Sequence, residues 1–172
     1  PEIPITTITS SQRLGEHTYI TATPLWQRWN NYGIALMQEE NYQTAIAAFQ
    51  KVTDLVPEKA DGWLNQARVL LAEGSIFEAE TLLREILEQF PENLKIQYFL
   101  GQVYFAQGRF EKALFFWEKV INLYPEDAIL LSDLGQLHYL MNEYERSEEY
   151  LLRAFAIDPE NASVVYRLML LY

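Results

Sequence analysis

Side chains that could do acid–base, nucleophilic or metal chemistry are few in this sequence. Its 172 residues hold two histidines, His17 and His138, and no cysteine, which excludes disulfides, thiolate nucleophiles and zinc–thiolate sites. Carboxylates are numerous, but Glu78, Glu80 and their neighbours have a spacing typical of a solvated helix face rather than of a metal site. Zinc-protease, nucleophile-elbow, phosphate-loop and calcium-loop motifs are missing from the sequence. We therefore predict no catalytic residue, no metal site and no cofactor.

The charge of the chain limits its partners. Thirteen basic residues against 24 acidic ones give a formal net charge of −11, so phosphate backbones and anionic bilayers are repelled on average. No apolar stretch approaches the ~18 residues that a spanning helix needs. We predict a soluble protein without nucleic-acid or membrane partners, from the cytoplasm or a bacterial periplasm. Because the sequence begins at Pro1, we expect an excised or processed piece.

The elements that would position any site follow a fixed repeat. Pro57, Pro91, Pro125 and Pro159 stand 34 residues apart, and a glutamate follows each of them. A period of this length indicates an array of helical repeats. From residue 26, apolar residues recur at three- and four-residue spacing in paired stretches of about 14 residues, as in antiparallel helices. We number each repeat unit from 1, so that the units span 26–59, 60–93, 94–127 and 128–161, with a terminal helix at 162–172.

Two columns of the repeat hold small residues. Position 8 has Gly, Ala, Gly and Gly, position 20 has Ala three times and then Ser147, and position 24 has large apolar residues. Small side chains are needed where two helices cross closely, so these columns predict the contact within each pair. His138 lies at position 11, a column otherwise apolar or aromatic, which predicts a packed, hydrogen-bonded core histidine. An enzyme would instead require His138 to be exposed beside two carboxylates.

Helix ends are also encoded in the repeat. Proline at position 32 ends the second helix of a unit, and Asn93, Asp127 and Asn161 two residues later are good N-caps for the next helix. Gly74, Gly108 and Asn142 tolerate a positive φ and fit the turn inside a pair; Glu40 is the exception in the first unit. In the terminal helix, we expect the packing face to consist of Val165, Leu168, Met169 and Tyr172.

These columns resemble the tetratricopeptide repeat (TPR) family over residues 26–172. The family pattern has a bulky residue at position 4, a small one at 8, alanine at 20, an aromatic at 24 and proline at 32. The resemblance implies an all-α fold, a right-handed superhelical solenoid of four antiparallel helix pairs plus a C-terminal packing helix. It also implies that the first helices line a concave groove in which a protein or peptide binds.

The family geometry implies that positions 2, 5, 6, 9, 12 and 13 of each first helix project into the groove. An apolar line of position-12 residues, rimmed by polar side chains, is typical of an interaction site, although position 12 could instead pack between adjacent units. The resulting partner-binding set is Asn30, Ile34, Met37, Asn65, Arg68, Leu71, Lys95, Tyr98, Phe99, Gln102, Phe105, Gln136 and Tyr139.

Two ligand classes of the family do not match this set. The carboxylate clamp of chaperone-binding members would require a lysine in place of Asn30, an asparagine in place of Ile34, and a lysine or arginine in place of Phe99. Asn65 and Lys95 match the clamp. The asparagine ladder of the glycosyltransferase-linked members is broken by Phe99 and Asp133. We therefore predict an interaction scaffold whose partner, an extended peptide or a helix, is neither a chaperone tail nor held through its backbone alone.

The segment 1–25 that precedes the array is predicted to be extended or irregular, because its isoleucines alternate with threonines among prolines and a glycine. Its apolar content allows it to lie in the groove of its own molecule or of a second copy. The region from Trp26 to Trp63 further resembles TPR modules appended to bacterial multihaem c-type cytochromes. This resemblance implies an alternative function as an accessory or oligomerisation domain of a larger enzyme, such as a redox enzyme with several haems.

Overall fold

A computed structural model describes residues 23–172, so the predictions made for the segment 1–25 fall almost wholly outside the described residues. The contacts divide the chain into two compact units, Pro1–Val69 and Leu70–Tyr172. From here on, the first unit and the second unit are these two, and the 34-residue segments are called repeats. The described residues form nine helices and no strand: α1 (Leu25–Gln38), α2 (Tyr42–Leu55), α3 (Asp61–Glu73), α4 (Ile76–Gln89), α5 (Leu94–Ala106), α6 (Phe110–Leu123), α7 (Ala128–Leu140), α8 (Tyr144–Ile157) and α9 (Ala162–Met169).

Short turns with a left-handed residue connect the helices of each hairpin. Gly74 has a φ of 87°, Gly108 of 71° and Asn142 of 61°, as predicted, and Glu40 has a φ of 58° at the same place. Residues other than glycine and asparagine rarely adopt this backbone conformation. Since Glu40 adopts it, the hairpin geometry determines the turn and the residue type only makes it easier.

The prolines and the N-caps bound the helices as predicted. The second helices α2, α4, α6 and α8 each end two residues before a proline, at Leu55, Gln89, Leu123 and Ile157. At the other boundary, the side chains of Asn93, Asp127 and Asn161 each accept hydrogen bonds from two backbone amides of the helix that follows. Each cap satisfies two amides that lack a partner within the helix.

Close helix crossings occur where the small columns predicted them. In the first unit, a Cβ added at Gly33 would lie 2.6 Å from the ring of Phe49. In the second unit, Gly101 faces the indole of Trp117, and a Cβ at Gly135 would lie 2.5 Å from Leu151. Glycine therefore allows the large residue of the second helix to lie directly on the backbone of the first.

Packing within each unit is apolar. The core of the first unit comprises Leu36, Ala45, Ala48, Phe49, Val52 and Val69. In the second unit, α5 packs with α6 and α7 with α8, while α4 lies against α5, α6 against α7 and α8 against α9. Ser147, in the small column, is fully buried and its hydroxyl donates to the carbonyl oxygen of Gly135 over 2.7 Å. A serine is tolerated there because its hydroxyl has an acceptor.

The prediction for the packing face of the terminal helix was wrong at Val165, Met169 and Tyr172, which are exposed, whereas the predicted Leu168 is half-buried. Val164 is the buried residue of α9, whereas Met169 is 70% and Tyr172 86% exposed. The predicted face was displaced by about one residue, since Val164 rather than Val165 enters the core. An exposed apolar surface on Val165, Tyr166, Met169 and Leu170 results.

Candidate functional site

The predicted groove residues of the first unit are joined by hydrogen bonds. Asn65, on α3, donates from its amide to the side-chain oxygen of Asn30 on α1 over 2.7 Å. Arg68, one turn along α3, donates to the side-chain oxygen of Asn65 over 3.0 Å. Ile34 and Met37 are half-buried and pack against the apolar core of this unit. All five side chains thus support α1 and α3, and each stays partly accessible to a partner.

In the second unit, Tyr98 joins two first helices. Its hydroxyl, on α5, donates to Oδ2 of Asp133 on α7 over 2.9 Å. The same hydroxyl accepts a hydrogen bond from the amide of Gln102 over 2.8 Å. Burial and the charge of Asp133 raise the pKa of Tyr98 above its usual value, so the phenol keeps its proton. Burial likewise raises the pKa of Asp133, against the opposing effects of Tyr98 and Arg167.

Arg167 continues this network from α9. Its guanidinium donates to the carbonyl oxygen of Ser132 over 3.1 Å, to the Ser132 hydroxyl, and to the side-chain oxygen of Gln136 over 2.6 Å. It also lies 4.0 Å from a carboxylate oxygen of Asp133. The charge of Arg167 is thus compensated by the half-buried Asp133, and these polar groups of α7 and α9 have hydrogen-bond partners.

One register rule describes these bonds. Asn30, Tyr98 and Ser132 occupy position 5 of their repeats, and their partners Asn65, Asp133 and Arg167 occupy position 6 of the next, 35 residues later. We call these three pairs the 5–6 pairs. The sequence interpretation treated Asp133 only as a break in an asparagine ladder and did not consider Arg167 or Ser132. Extending the 34-residue register into the terminal helix would have placed Arg167 beside Ser132.

Aromatic residues lie beside the polar network. Phe99 is half-buried and packs edge-on against Tyr98 at 5.5 Å between ring centroids. Phe105 contacts Trp117 at 5.6 Å and Phe110 at 5.9 Å. Much of its surface therefore supports the α5–α6 hairpin. Tyr139 contacts Tyr144 edge-on at 5.7 Å, and Lys95 is exposed whereas Leu71 is half-buried.

The surface of the second unit formed by α5, α7 and α9 is thus a mixed one, which we call the first-helix face. It comprises Tyr98, Phe99, Gln102, Phe105, Asp133, Gln136, Tyr139 and Arg167. Aromatic groups flanked by satisfied polar groups suit the binding of a protein surface, because apolar contact supplies the free energy and polar groups supply orientation.

His138 belongs to the core, as predicted. It is 2% exposed, its Nδ1 lies 2.7 Å from Oε2 of Glu143, and its ring stacks on Tyr150 at 5.2 Å. The hydrogen bond to His138, aided by Arg146, lowers the pKa of Glu143. Within residues 23–172, no group of three or more His, Asp or Glu side chains is placed to hold a metal ion. In the same range, every helix is too short or too polar to traverse a lipid bilayer.

Successive helical hairpins with a proline two residues after each second helix are typical of a TPR protein, and comparison with known families agrees. Residues 15–130 match the family described as the TPR domain of cytochrome c-type biogenesis protein H, and residues 129–161 match a tetratricopeptide repeat. The chain belongs to the family of cytochrome c-type biogenesis protein H TPR domains. The predicted all-α TPR solenoid fold is confirmed.

Solved structures share this fold at low sequence identity. PilF of Pseudomonas aeruginosa has a TM-score of 0.76 at 22% identity, over 85% of this chain and 67% of that one. A thermophilic TPR protein of Thermus thermophilus has a TM-score of 0.73 at 22% identity, over 86% and 81%. MamA of Desulfovibrio magneticus RS-1 has a TM-score of 0.71 at 18% identity, over 85% and 82%. No curated protein matches the chain significantly.

Proposed function

We propose that this chain is a non-catalytic interaction scaffold that binds an extended peptide or a partner helix on its first-helix face. TPR proteins in general bind protein partners, and the chain belongs to a TPR family. The observation that carries the finer proposal is the composition of this face, where half-buried Phe99 and Tyr139 lie beside hydrogen-bonded Tyr98, Gln102 and Gln136. Affinity in the micromolar range, about −8 kcal/mol, suits a transient assembly role.

The role of the polar groups differs from the one that sequence alone suggested. Gln102 and Gln136 of this face already bond to neighbouring side chains, so they would orient a partner through their remaining donors and acceptors only. Asn65 and Arg68 are likewise hydrogen-bonded within the first unit. Lys95 is exposed and supplies a cation at the edge of the face. The binding free energy is therefore assigned mainly to the aromatic residues.

A matched pair of aromatic variants tests the site. Peptides are selected from a displayed random library on the full chain, and their binding is measured by fluorescence anisotropy. Phe99→Ala should weaken binding about tenfold or more, because it removes a half-buried aromatic anchor. Phe115→Ala removes an aromatic side chain that is 54% exposed on the second helix α6, and should leave the affinity unchanged.

The outcome that contradicts the proposal is equally clear. If no peptide is enriched, or if every enriched peptide loses affinity in Phe115→Ala and not in Phe99→Ala, the first-helix face is not the site. Thermal denaturation of both variants confirms that the comparison is made between folded proteins.

A second candidate function is favoured by the family match. The description of the matched domain names cytochrome c-type biogenesis, so we propose a protein of c-type cytochrome assembly as the partner and the periplasm as the compartment. Deleting the gene in the native organism should then reduce haem staining of c-type cytochromes; undiminished staining would contradict this assignment.

The accessory-domain alternative remains distinct from assembly. The matched family concerns a biogenesis protein, whereas the alternative places the array inside a larger, multihaem enzyme or makes it an oligomerisation domain. Haem-attachment motifs in the flanking parts of the parent gene would support that alternative, and a flanking sequence without them would oppose it.

A further inference from the structure

A cavity of about 320 Å³ lies between α7, α8 and α9, at one end of the first-helix face. Its apolar walls are Leu140, Leu151 and Leu170, and Gln136 and Tyr139 of the predicted groove line it too. Leu151 is 1% exposed and forms the floor. A volume of this size lies at the lower end of those that hold small ligands.

The cavity lies beside a position at which neighbouring repeats differ in side-chain size. In the α5–α6 hairpin, position 24 is Trp117, whose indole packs on Gly101, contacts Phe105 and donates to the carbonyl oxygen of Tyr98 over 3.0 Å. In the α7–α8 hairpin, the same position is Leu151, again opposite a glycine. The helix crossing that accommodates an indole is thus repeated with a smaller side chain, and that smaller side chain lines the cavity.

The rim of the cavity is electrically neutral. Arg167 is the charged residue that lines it, and this guanidinium lies 4.0 Å from Asp133 and donates to Ser132 and Gln136. A charged side chain that entered would lose hydration without gaining a free counter-ion. An aromatic side chain has no such cost, and the aromatic rings of Tyr139 and Tyr166 face it.

We propose that this cavity, the α7–α9 pocket, receives one aromatic side chain of the partner peptide. The inference rests on the proposed function of the first-helix face and gives it a specificity site. Trp117, which occupies the corresponding position one repeat earlier, shows that an aromatic ring is compatible with this backbone. The pocket therefore selects peptides in which a phenylalanine or a larger aromatic residue is flanked by residues with uncharged side chains.

The probe for this pocket is N-acetyl-phenylalaninamide, with N-acetyl-lysinamide as the charged comparison. Both are titrated into the full ¹⁵N-labelled chain and followed by two-dimensional NMR. We expect saturable shifts of the amides of Tyr139, Leu140 and Ser163 with the phenylalanine probe at millimolar concentration. The lysine probe should cause no saturable shift there.

Two variants close the pocket and one serves as a control. Leu151→Trp fills the floor as Trp117 does one repeat earlier, and Ser163→Trp narrows the mouth from an exposed position of α9. Leu152→Trp adds the same side chain at an adjacent site on α8 that is 47% exposed. Both closing variants should weaken probe binding about tenfold or more, and Leu152→Trp should leave it within about twofold.

The results separate the pocket from the wider function. Probe binding that is absent in the unmodified chain, or unchanged in folded Leu151→Trp and Ser163→Trp, overturns the pocket. If selected peptides bind the chain and keep their affinity in both closing variants, the pocket is refuted while the first-helix face stands. If the probe fills the pocket but no peptide is captured, the pocket is supported and the proposed function fails.

Discussion

The hydroxyl of Tyr98 donates to Oδ2 of Asp133 over 2.9 Å, across 35 positions of the chain. The same two register positions are bonded in Asn30–Asn65 and in Ser132–Arg167, with different chemistry in each pair. The residue types differ among the three pairs, but each pair joins position 5 of one repeat to position 6 of the next. These two positions therefore hold successive first helices together in each pair. The polar part of the first-helix face therefore serves the fold.

Replacing Tyr98 by phenylalanine should destabilise the chain by about 1–3 kcal/mol, because the half-buried carboxyl group of Asp133 then loses its hydrogen-bond donor. The midpoint of urea denaturation measures this loss. Tyr124→Phe, at a tyrosine that is 57% exposed in the α6–α7 turn, should shift the midpoint far less. Equal shifts for the two variants would show that the Tyr98–Asp133 bond contributes nothing specific.

Two glycines of one hairpin should respond to alanine for different reasons. At Gly101 the added methyl group would overlap the indole of Trp117, and overpacking of this kind costs about 1–3 kcal/mol. At Gly108 nothing lies within 4 Å, but φ is 71°, and alanine in that conformation costs about 1 kcal/mol.

Near-ultraviolet circular dichroism distinguishes the two effects. Gly101→Ala should alter the tryptophan signal, since the indole must move, whereas Gly108→Ala should leave it unchanged. A Gly101→Ala protein with the stability and the spectrum of the unmodified chain would contradict the close crossing of α5 and α6.

Glu80 makes the stability of the second unit depend on pH. Burial acts to raise its pKa, but hydrogen bonds from Gln107 and Tyr104 and the charges of Arg109 and Arg84 outweigh burial and lower it. The Gln107 amide lies 2.7 Å and the Arg109 guanidinium 3.4 Å from Oε2. A carboxyl with a lowered folded pKa stabilises the protein above its unfolded pKa, and this contribution is lost as the pH falls through the folded value.

Glu80→Gln should therefore lower the melting temperature at neutral pH and flatten its decline between about pH 5 and about pH 3. Melting temperatures across this range give the comparison, with the exposed Glu78→Gln of the same helix as control. The assignment fails if the curve of Glu80→Gln runs parallel to that of the unmodified chain through the whole range.

The sequence predicted the elements whose cause is local. Asn93 and Asp127 cap helices because their short side chains reach the next amides, and the prolines end helices because their rings restrict the preceding residue. Glu40 adopts the left-handed conformation for a different reason, since the hairpin around it requires that turn. The phase of α9 was missed because it depends on how Val164 enters the core, a tertiary contact.

The site was less predictable than the fold. Family geometry brought Tyr98, Gln102 and Gln136 into the groove set, and the structure joins them to Asp133 and Arg167. Which of these groups are already hydrogen-bonded depends on side-chain geometry between helices. The residue types in the repeat columns do not specify that geometry. The α7–α9 pocket likewise depends on how side chains from three helices meet, among them Leu151 where the preceding repeat has Trp117.

Hydrogen exchange with and without a captured peptide tests whether the first-helix face is the binding surface. If it is, a library-selected peptide slows exchange of the amides of α5, α7 and α9 and leaves those of the exposed second helix α6 unaffected. Protection confined to α6 and α8, with the first helices unchanged, would contradict the assignment of the first-helix face as the binding surface.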